Sequence, residues 1–308
     1  MNLWLLVSTI ILTLGFTANQ AYQLPLISIF EDSSGTKASL EKVELDDQKN
    51  ILPHKVDNQS LGVKISAVSA AVMDKNTGLI LWQKNAQEKR SIASITKLMT
   101  ALVFLDNNPG WEQEITMVKE DEINGGTNHI LRDEVVTVRN LFYTSLIASD
   151  NTATMALVRS TSLTKEEFIK EMNAKAKVLN LTSTNFVDMT GLEDGSQSTA
   201  LDVLKMAQVA FDNSDIKEAV SKSVYNFESL SGQSHKIAST NKLFNSFLEV
   251  EAGKTGFTNA SGYCLVSEVS GENGNNIISV VLGSDTHDGR FQELKILSAW
   301  IFDNFIWS

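Results

Sequence analysis

Ser94-Ile95-Thr96-Lys97 places a hydroxyl and an amine three residues apart at the start of an apolar stretch. The stretch Ala93 to Leu105 reads as a helix, with Leu98, Leu102 and Leu105 on one face, so Lys97 lies about one turn beyond Ser94 and can reach its hydroxyl. A serine hydroxyl is a weak nucleophile alone. An adjacent amine becomes its base only if burial, a second cation or a helix N-terminus lowers the amine's pKa. The helix start also leaves the Ser94 backbone N–H without an intrahelical acceptor, free to stabilise an oxyanion. By itself this four-residue pattern arises often by chance, and a surface Ser and Lys would account for it.

Two further clusters bear on that choice. Ser149-Asp150-Asn151 follows the apolar helical stretch NLFYTSLIA, which puts a hydroxyl and a side-chain amide at a helix end. Such a trio also makes an ordinary cap or turn. Lys254-Thr255-Gly256 precedes the strand expected at Gly262 to Val269, where a lysine offers charge to a carboxylate and a small residue lets a substrate backbone lie against a sheet edge.

Elements at both ends must position these clusters. Ile65 to Met73 and Leu79 to Gln83 flank the turn residues Asp74 to Gly78, and Gly262 to Val269 and Ile277 to Gly283 flank Gly271 to Asn276. Each set reads as a hairpin, and both fit one antiparallel sheet. Between them the period becomes helical, clearest in Phe168, Met172, Ala176 and Leu179. Leu294, Leu297, Ile301 and Phe305 predict a closing helix over Phe291 to Phe305. Strands at the ends with helices between them give an α+β fold: an antiparallel sheet flanked by helices, with a mostly helical lobe.

Composition excludes several classes. The 308 residues carry a formal net charge of -11 with no basic block, which argues against nucleic acid. The single cysteine, Cys264, rules out an intrachain disulfide and sits in an apolar run, as a buried hydrophobe would. The four histidines, His54, His129, His235 and His287, form neither a zinc-binding spacing nor a nucleophile elbow context, and they read as surface or loop residues, with His129 and His287 near a cleft mouth. No metal or organic cofactor is implied.

The N-terminus opens with an apolar run, Leu3 to Phe16, shorter than the ~20 residues of a membrane span but suited to a secretory signal. No basic residue precedes it and no clean cleavage site follows, so residues 1–21 are expected to be either a cleaved signal or an N-terminal anchor. Residues 22–63 are polar and acidic without a sustained period, which reads as a flexible tether, and the catalytic domain is expected over 64–308.

Taken in order, the three clusters match the signature of penicillin-binding proteins and class A β-lactamases. The flanking segments IASITKLMTAL, LIASDNTATMAL, NFVDMTGLEDGSQSTALDVLKMA and EAGKTGFTNASGYCLVS extend the match, and the chain from about Ser66 to Phe305 resembles the D-alanyl-D-alanine carboxypeptidase family. That resemblance implies a serine hydrolase that removes the terminal D-alanine from peptidoglycan stem peptides and is acylated by β-lactams. It implies Ser94 as nucleophile and Lys97 as its base. Ser149 would relay a proton to the leaving D-alanine, and Asn151 would hold the substrate amide and the Lys97 amine. Lys254, Thr255 and Gly256 would face the substrate, with Lys254 and Thr255 on its carboxylate. Phe257 would supply a second oxyanion N–H, and Arg290 matches an arginine used near the carboxylate. Apart from the resemblance, a carboxylate-bearing substrate approaching a chain of net charge -11 needs local cations, for which Lys254 and Arg290 are the candidates, so removing Lys254 is expected to raise KM or lower acylation more at higher pH.

An endopeptidase that cuts peptidoglycan crosslinks would use the same set and is the close alternative. A β-lactamase would need a general-base glutamate, and Glu166 and Glu167 fall on a regular amphipathic helix where charges form a solvated face. A wall-binding module without turnover would be expected to lack one of these residues. Two departures stand out: Ser91-Ile92 replaces a usual proline, and Gly253 replaces a common aliphatic. The chain stops at Ser308, before the β-domain and amphipathic helix of many relatives. Any membrane attachment is therefore expected at the N-terminus, and the site of action is expected to be extracytoplasmic.

Overall fold

The computed structural model describes residues 52–307. Its centre is a five-stranded antiparallel sheet of β1 (Ser69–Asp74), β2 (Ile80–Lys84), β3 (Glu249–Thr258), β4 (Gly262–Ser270) and β5 (Ile277–Ser284), in spatial order β3-β4-β5-β1-β2. Both expected hairpins are present, and β5 pairs with β1 to join the chain's two ends. The turn between β1 and β2 closes on Asp74, whose carboxylate accepts the Thr77 amide and hydroxyl.

Every residue of β1 and β5 is buried, because helices cover both faces of the sheet. The two-residue period sorts them. Ala70, Val72 and Val281 pack with Phe291, Leu294, Leu297 and Ile301 of the closing helix, while Ala71, Met73, Val280 and Leu282 face the helical lobe.

The lobe contains α1 (Thr96–Asp106), α2 (Val138–Ile147), α3 (Asn151–Ser160), α4 (Lys165–Val178), α5 (Ala200–Asp212) and α6 (Ser214–Val220); α7 (Gly289–Asn304) closes the other face. Their starts follow local chemistry. Thr164 and Glu167 form a capping box for α4, and Thr199 accepts the Asp202 N–H for α5. Glu166 and Glu167 are exposed, as their place on an amphipathic helix predicted. Residues Thr96 to Phe104 of α1 are all buried, so this helix is the lobe's axis. Cys264 is buried and free.

Four differences from the sequence reading matter. The helix expected from Ala93 starts as a short 3-10 turn, Ala93–Ile95, before α1 begins. The Lys254-Thr255-Gly256 cluster lies inside an edge strand, β3, instead of ahead of the first strand of a hairpin. A separate hairpin, Val224–Glu228 with Ser234–Ala238, was not anticipated. The expected tether also overlaps ordered pairing. His54 and Lys55 pair with Ile306 and Phe305, and Trp300 Nε1 donates to Ser60 Oγ at 2.8 Å, because the end of α7 leaves backbone and indole groups that need partners. Residues 1–21 and the tether up to residue 51 lie outside the described residues. Among the described residues, no helix is long and apolar enough to cross a membrane.

Candidate active site

A cleft of about 750 Å³ opens between the helical lobe and the free edge of β3. It is lined by Ser94, Ser149, Asn151, Thr255, Phe257 and Arg290, among others. His129 and His287 both line it, as the sequence reading placed them.

Ser94 is half-buried at the second residue of the 3-10 turn, and Lys97, in the first turn of α1, is buried with only 1% of its surface exposed. Lys97 Nζ sits 3.0 Å from Ser94 Oγ, 2.6 Å from Asn151 Oδ1 and 2.8 Å from the Thr190 carbonyl oxygen. Burial pulls the Lys97 amine down to about 7, even though the charges of Asp188 and Asp150 push the other way. A neutral amine has two N–H bonds and one lone pair. Two carbonyl oxygens take the N–H bonds, which leaves the lone pair for the Ser94 hydroxyl.

Asn151 cannot turn its amide around, because Nδ2 donates to the Gly125 carbonyl at 2.5 Å. Asp150 caps α3 through the Ala153 N–H and holds the His129 amide and ring, so α3 presents Asn151 at a fixed angle.

Ser149 Oγ accepts from Lys254 Nζ at 2.7 Å, and the residue is held at φ 61°. A left-handed serine is uncommon, and here it joins α2 to α3 while leaving the hydroxyl in the cleft. Ala93, next to the nucleophile, is also left-handed, with φ 47°.

Lys254 is fully buried, and its amine is pushed well below the usual lysine value by burial, then by Lys97 and Arg290. Both cations named for the substrate carboxylate, Lys254 and Arg290, are thus buried at the site, and burial opposes the charge of each. The more persistent charge is Arg290, lowered only to about 10 by burial and so protonated at neutral pH. Arg290 Nη1 donates to the Gly256 carbonyl at 2.9 Å, which fixes it beside the cluster instead of on the surface. The Thr255 hydroxyl meets that of Thr240 at 2.6 Å.

Glycines set the fit between β3 and the nucleophile. A Cβ at Gly256 would lie 2.9 Å from the Ile92 carbonyl and 3.0 Å from the Ser94 amide nitrogen. The small residue is thus needed for the approach of the strand to the Ser94 backbone, in addition to the substrate edge anticipated for it. Phe257 follows Gly256 in the same strand and lines the cleft with Ser94. At Gly253, where an aliphatic was expected, a Cβ would lie 2.5 Å from Asn241 Nδ2, so Asn241 fills that space.

Sequence reasoning missed the turn Asp188 to Leu192. The Asp188 carboxylate gathers the N–H groups of Thr190, Gly191 and Leu192 and the hydroxyls of Thr190 and Ser196. That folding aims the Thr190 carbonyl at Lys97. A Cβ at Gly191 would fall 1.9 Å from the Ala93 carbonyl oxygen, so glycine is obligatory there. Among the described residues, no cluster of three His, Cys, Asp or Glu side chains could hold a metal.

A serine whose hydroxyl faces a buried lysine with an amine lowered to about 7, beside a strand edge and a fixed arginine, defines a serine acyl-transfer site of the penicillin-binding class. Residues 54–286 match the D-alanyl-D-alanine carboxypeptidase family, and the chain belongs to it. It is a serine peptidase with the β-lactamase/transpeptidase-like fold. A D-alanyl-D-alanine endopeptidase of Haemophilus influenzae is 35% identical over 65% of this chain and 69% of that protein. The carboxypeptidase DacF of Bacillus subtilis is 31% identical over 78% of this chain, which spans 63% of that relative's length. Among solved structures, a Streptomyces DD-transpeptidase superposes with a TM-score of 0.74 at 28% identity, covering 79% of this chain and 100% of that one. Penicillin-binding protein D2 of Listeria monocytogenes, in its cefotaxime-bound form, superposes with a TM-score of 0.70 at 31% identity, with the same coverages.

Proposed function

We propose that the protein removes the terminal D-alanine from peptidoglycan stem peptides through an acyl-enzyme on Ser94, acting outside the cytoplasm. The observation that carries this reading is the pair of carbonyl acceptors on Lys97, which leaves its lone pair for the Ser94 proton. In the acylation step Ser94 Oγ attacks the penultimate carbonyl while its proton passes to Lys97 Nζ. The backbone N–H groups of Ser94 and Phe257 hold the oxyanion. Collapse breaks the C–N bond as Ser149 gives its proton to the departing amine and regains one from Lys254, its hydrogen-bond partner, while the proton that Lys97 took from Ser94 passes on to Lys254, so that Lys97 is neutral again before water attacks the ester. Water then releases the shortened peptide and restores Ser94.

Recognition of the substrate follows the same residues. Thr255 and Arg290 receive the terminal carboxylate, and the arriving anion favours reprotonation of Lys254. Asn151 holds the substrate amide with the part of its side chain that does not serve Lys97. A β-lactam, entering with its own carboxylate, would be held longer at the acyl stage than the peptide, because its leaving amine stays tethered to the acyl group and does not vacate the cleft for water, and the exposed Glu166 and Glu167 offer no buried general base to speed release.

Intact-mass measurement after incubation with penicillin tests the nucleophile. One covalent adduct is expected on the native protein and none on Ser94→Ala; an adduct that persists on Ser94→Ala would overturn the assignment. A second reading, cleavage of crosslinks, has support in the endopeptidase relatives of Haemophilus influenzae and Escherichia coli. Free D-alanine released from a stem pentapeptide, compared with cleavage of a crosslinked dimer, separates the two.

A further inference from the structure

The carboxylate end of the cleft is marked by Thr255, Thr240 and Arg290. The same cleft is also lined by Lys242 and His287. Lys242 opens the short helix Lys242–Asn245, whereas His287 and Asp288 belong to the turn that starts α7. These two segments are far apart in sequence, yet one carboxylate oxygen ties them. Asp288 Oδ1 accepts from Lys242 Nζ at 3.0 Å and meets His287 Nδ1 at 2.7 Å. The His287 ring is steadied by edge contacts with Tyr263 and Phe291, at 5.8 and 5.6 Å between centroids.

We propose that the Lys242–Asp288–His287 bridge is a gate on the leaving-group side, which restricts the leaving group to a single terminal residue and disfavours one that carries a second peptide. The inference rests on the function proposed above and sharpens it. A terminal D-alanine ends at its carboxylate, against Thr255 and Arg290, and needs no room beyond. A crosslinked leaving group carries a second peptide on its α-carbon substituent, and where that peptide leaves the cleft between Lys242 and His287 it meets the bridge. The side chains of Lys242, Asp288 and His287 are 58, 72 and 45% exposed, so water and salt weaken the bridge and it opens reversibly. It therefore biases the substrate choice without making it absolute. None of the three side chains is needed for the steps at Ser94.

The test compares the full chain with Lys242→Ala, Asp288→Asn and the charge-swapped Lys242→Asp/Asp288→Lys. For each, kcat/KM is measured for D-alanine release from a stem pentapeptide and for cleavage of a crosslinked stem dimer, together with the penicillin acylation rate. Each single variant is expected to raise the dimer-to-pentapeptide ratio by about three- to fivefold, the range an exposed pair can govern. The swap should return the ratio toward the native value, and raised salt should bring the native protein toward the single variants. A ratio that stays the same, with acylation intact, would sink the gate alone. A lower ratio would also overturn it and would mean that these side chains bind the second peptide. Failure of the native protein to acylate would remove the functional reading and the gate with it.

Discussion

Two buried ionic clusters sit on the same face of the β3–β4 pair and are built in opposite ways. Lys254 on β3 pairs with Val266, and two residues along β4, Glu268 pairs with Ala252. Both Ala252 and Val266 pack into the core of the helical lobe. Glu268 is fully buried and is met by Lys75 at 2.9 Å, Lys217 at 3.2 Å and Asn276 Nδ2 at 3.2 Å. Burial alone would lower Lys75, but its bonds to Glu268 and Asp212 outweigh that and hold it above the usual lysine value. At the cleft, Lys97 and Lys254 are buried with hydroxyl and carbonyl partners and no carboxylate in salt-bridge contact. Their amines fall instead.

The difference separates structure from chemistry. A buried lysine with a carboxylate keeps its proton and is useless as a base. A buried lysine offered only neutral oxygens gives the proton up near neutral pH, at a cost in stability that the surrounding fold must carry. The nearest anions to Lys97, Asp188 and Asp150, are spent elsewhere. Asp188 binds the turn that supplies the Thr190 carbonyl, and Asp150 caps α3 and holds His129.

The comparison can be broken at either cluster. The largest effect is expected from Lys97→Arg, whose guanidinium cannot deprotonate at neutral pH. Penicillin acylation, followed by stopped-flow or mass spectrometry, should fall by about 10²–10⁴-fold, the usual worth of a general base. A loss under tenfold would argue that another group takes the Ser94 proton. Next comes Glu268→Ala, which strands Lys75 and Lys217 against the sheet. Urea unfolding should show a loss of about 3 kcal/mol, the lower end for breaking a buried pair, while the folded protein acylates at the native rate. An acylation defect as large as the Lys97 one would mean that the clusters are coupled. The smallest effect sharpens the contrast. Arg132→Ala removes a surface pair with Glu122, in which both side chains are more than a third exposed. Its cost should stay under about 1 kcal/mol by the same unfolding measurement.

Much of this site was legible because its side chains come in short contiguous runs on elements with a clear period. Ser94 and Lys97 fall one turn apart, and Asn151 starts a helix whose cap, Asp150, is its neighbour. What was hidden is held by backbone or by tertiary burial. The Thr190 carbonyl has no residue-type signal, and Gly191 reveals its purpose only when the Ala93 carbonyl lies 1.9 Å from the Cβ it lacks. The strand around Lys254 escaped because its charged residues, Glu249, Glu251 and Lys254, mask the alternation an edge strand should show. The pull on the Lys254 amine comes from a tertiary burial that no local pattern encodes. Residues 54–55 looked like tether because a two-residue strand is defined by its partner, Phe305–Ile306, and not by its own composition.

The central claim is that Lys97 is neutral when Ser94 reacts. The direct measurement is the second-order rate of penicillin acylation from pH 5 to 9, on protein shown to be folded across that range. With Lys97 lowered to about 7, the deprotonated base accumulates as pH rises, so the rate should climb about tenfold per pH unit below that value and level off above it. A rate that is flat across the range, or one that falls as pH rises through 7, would contradict the account.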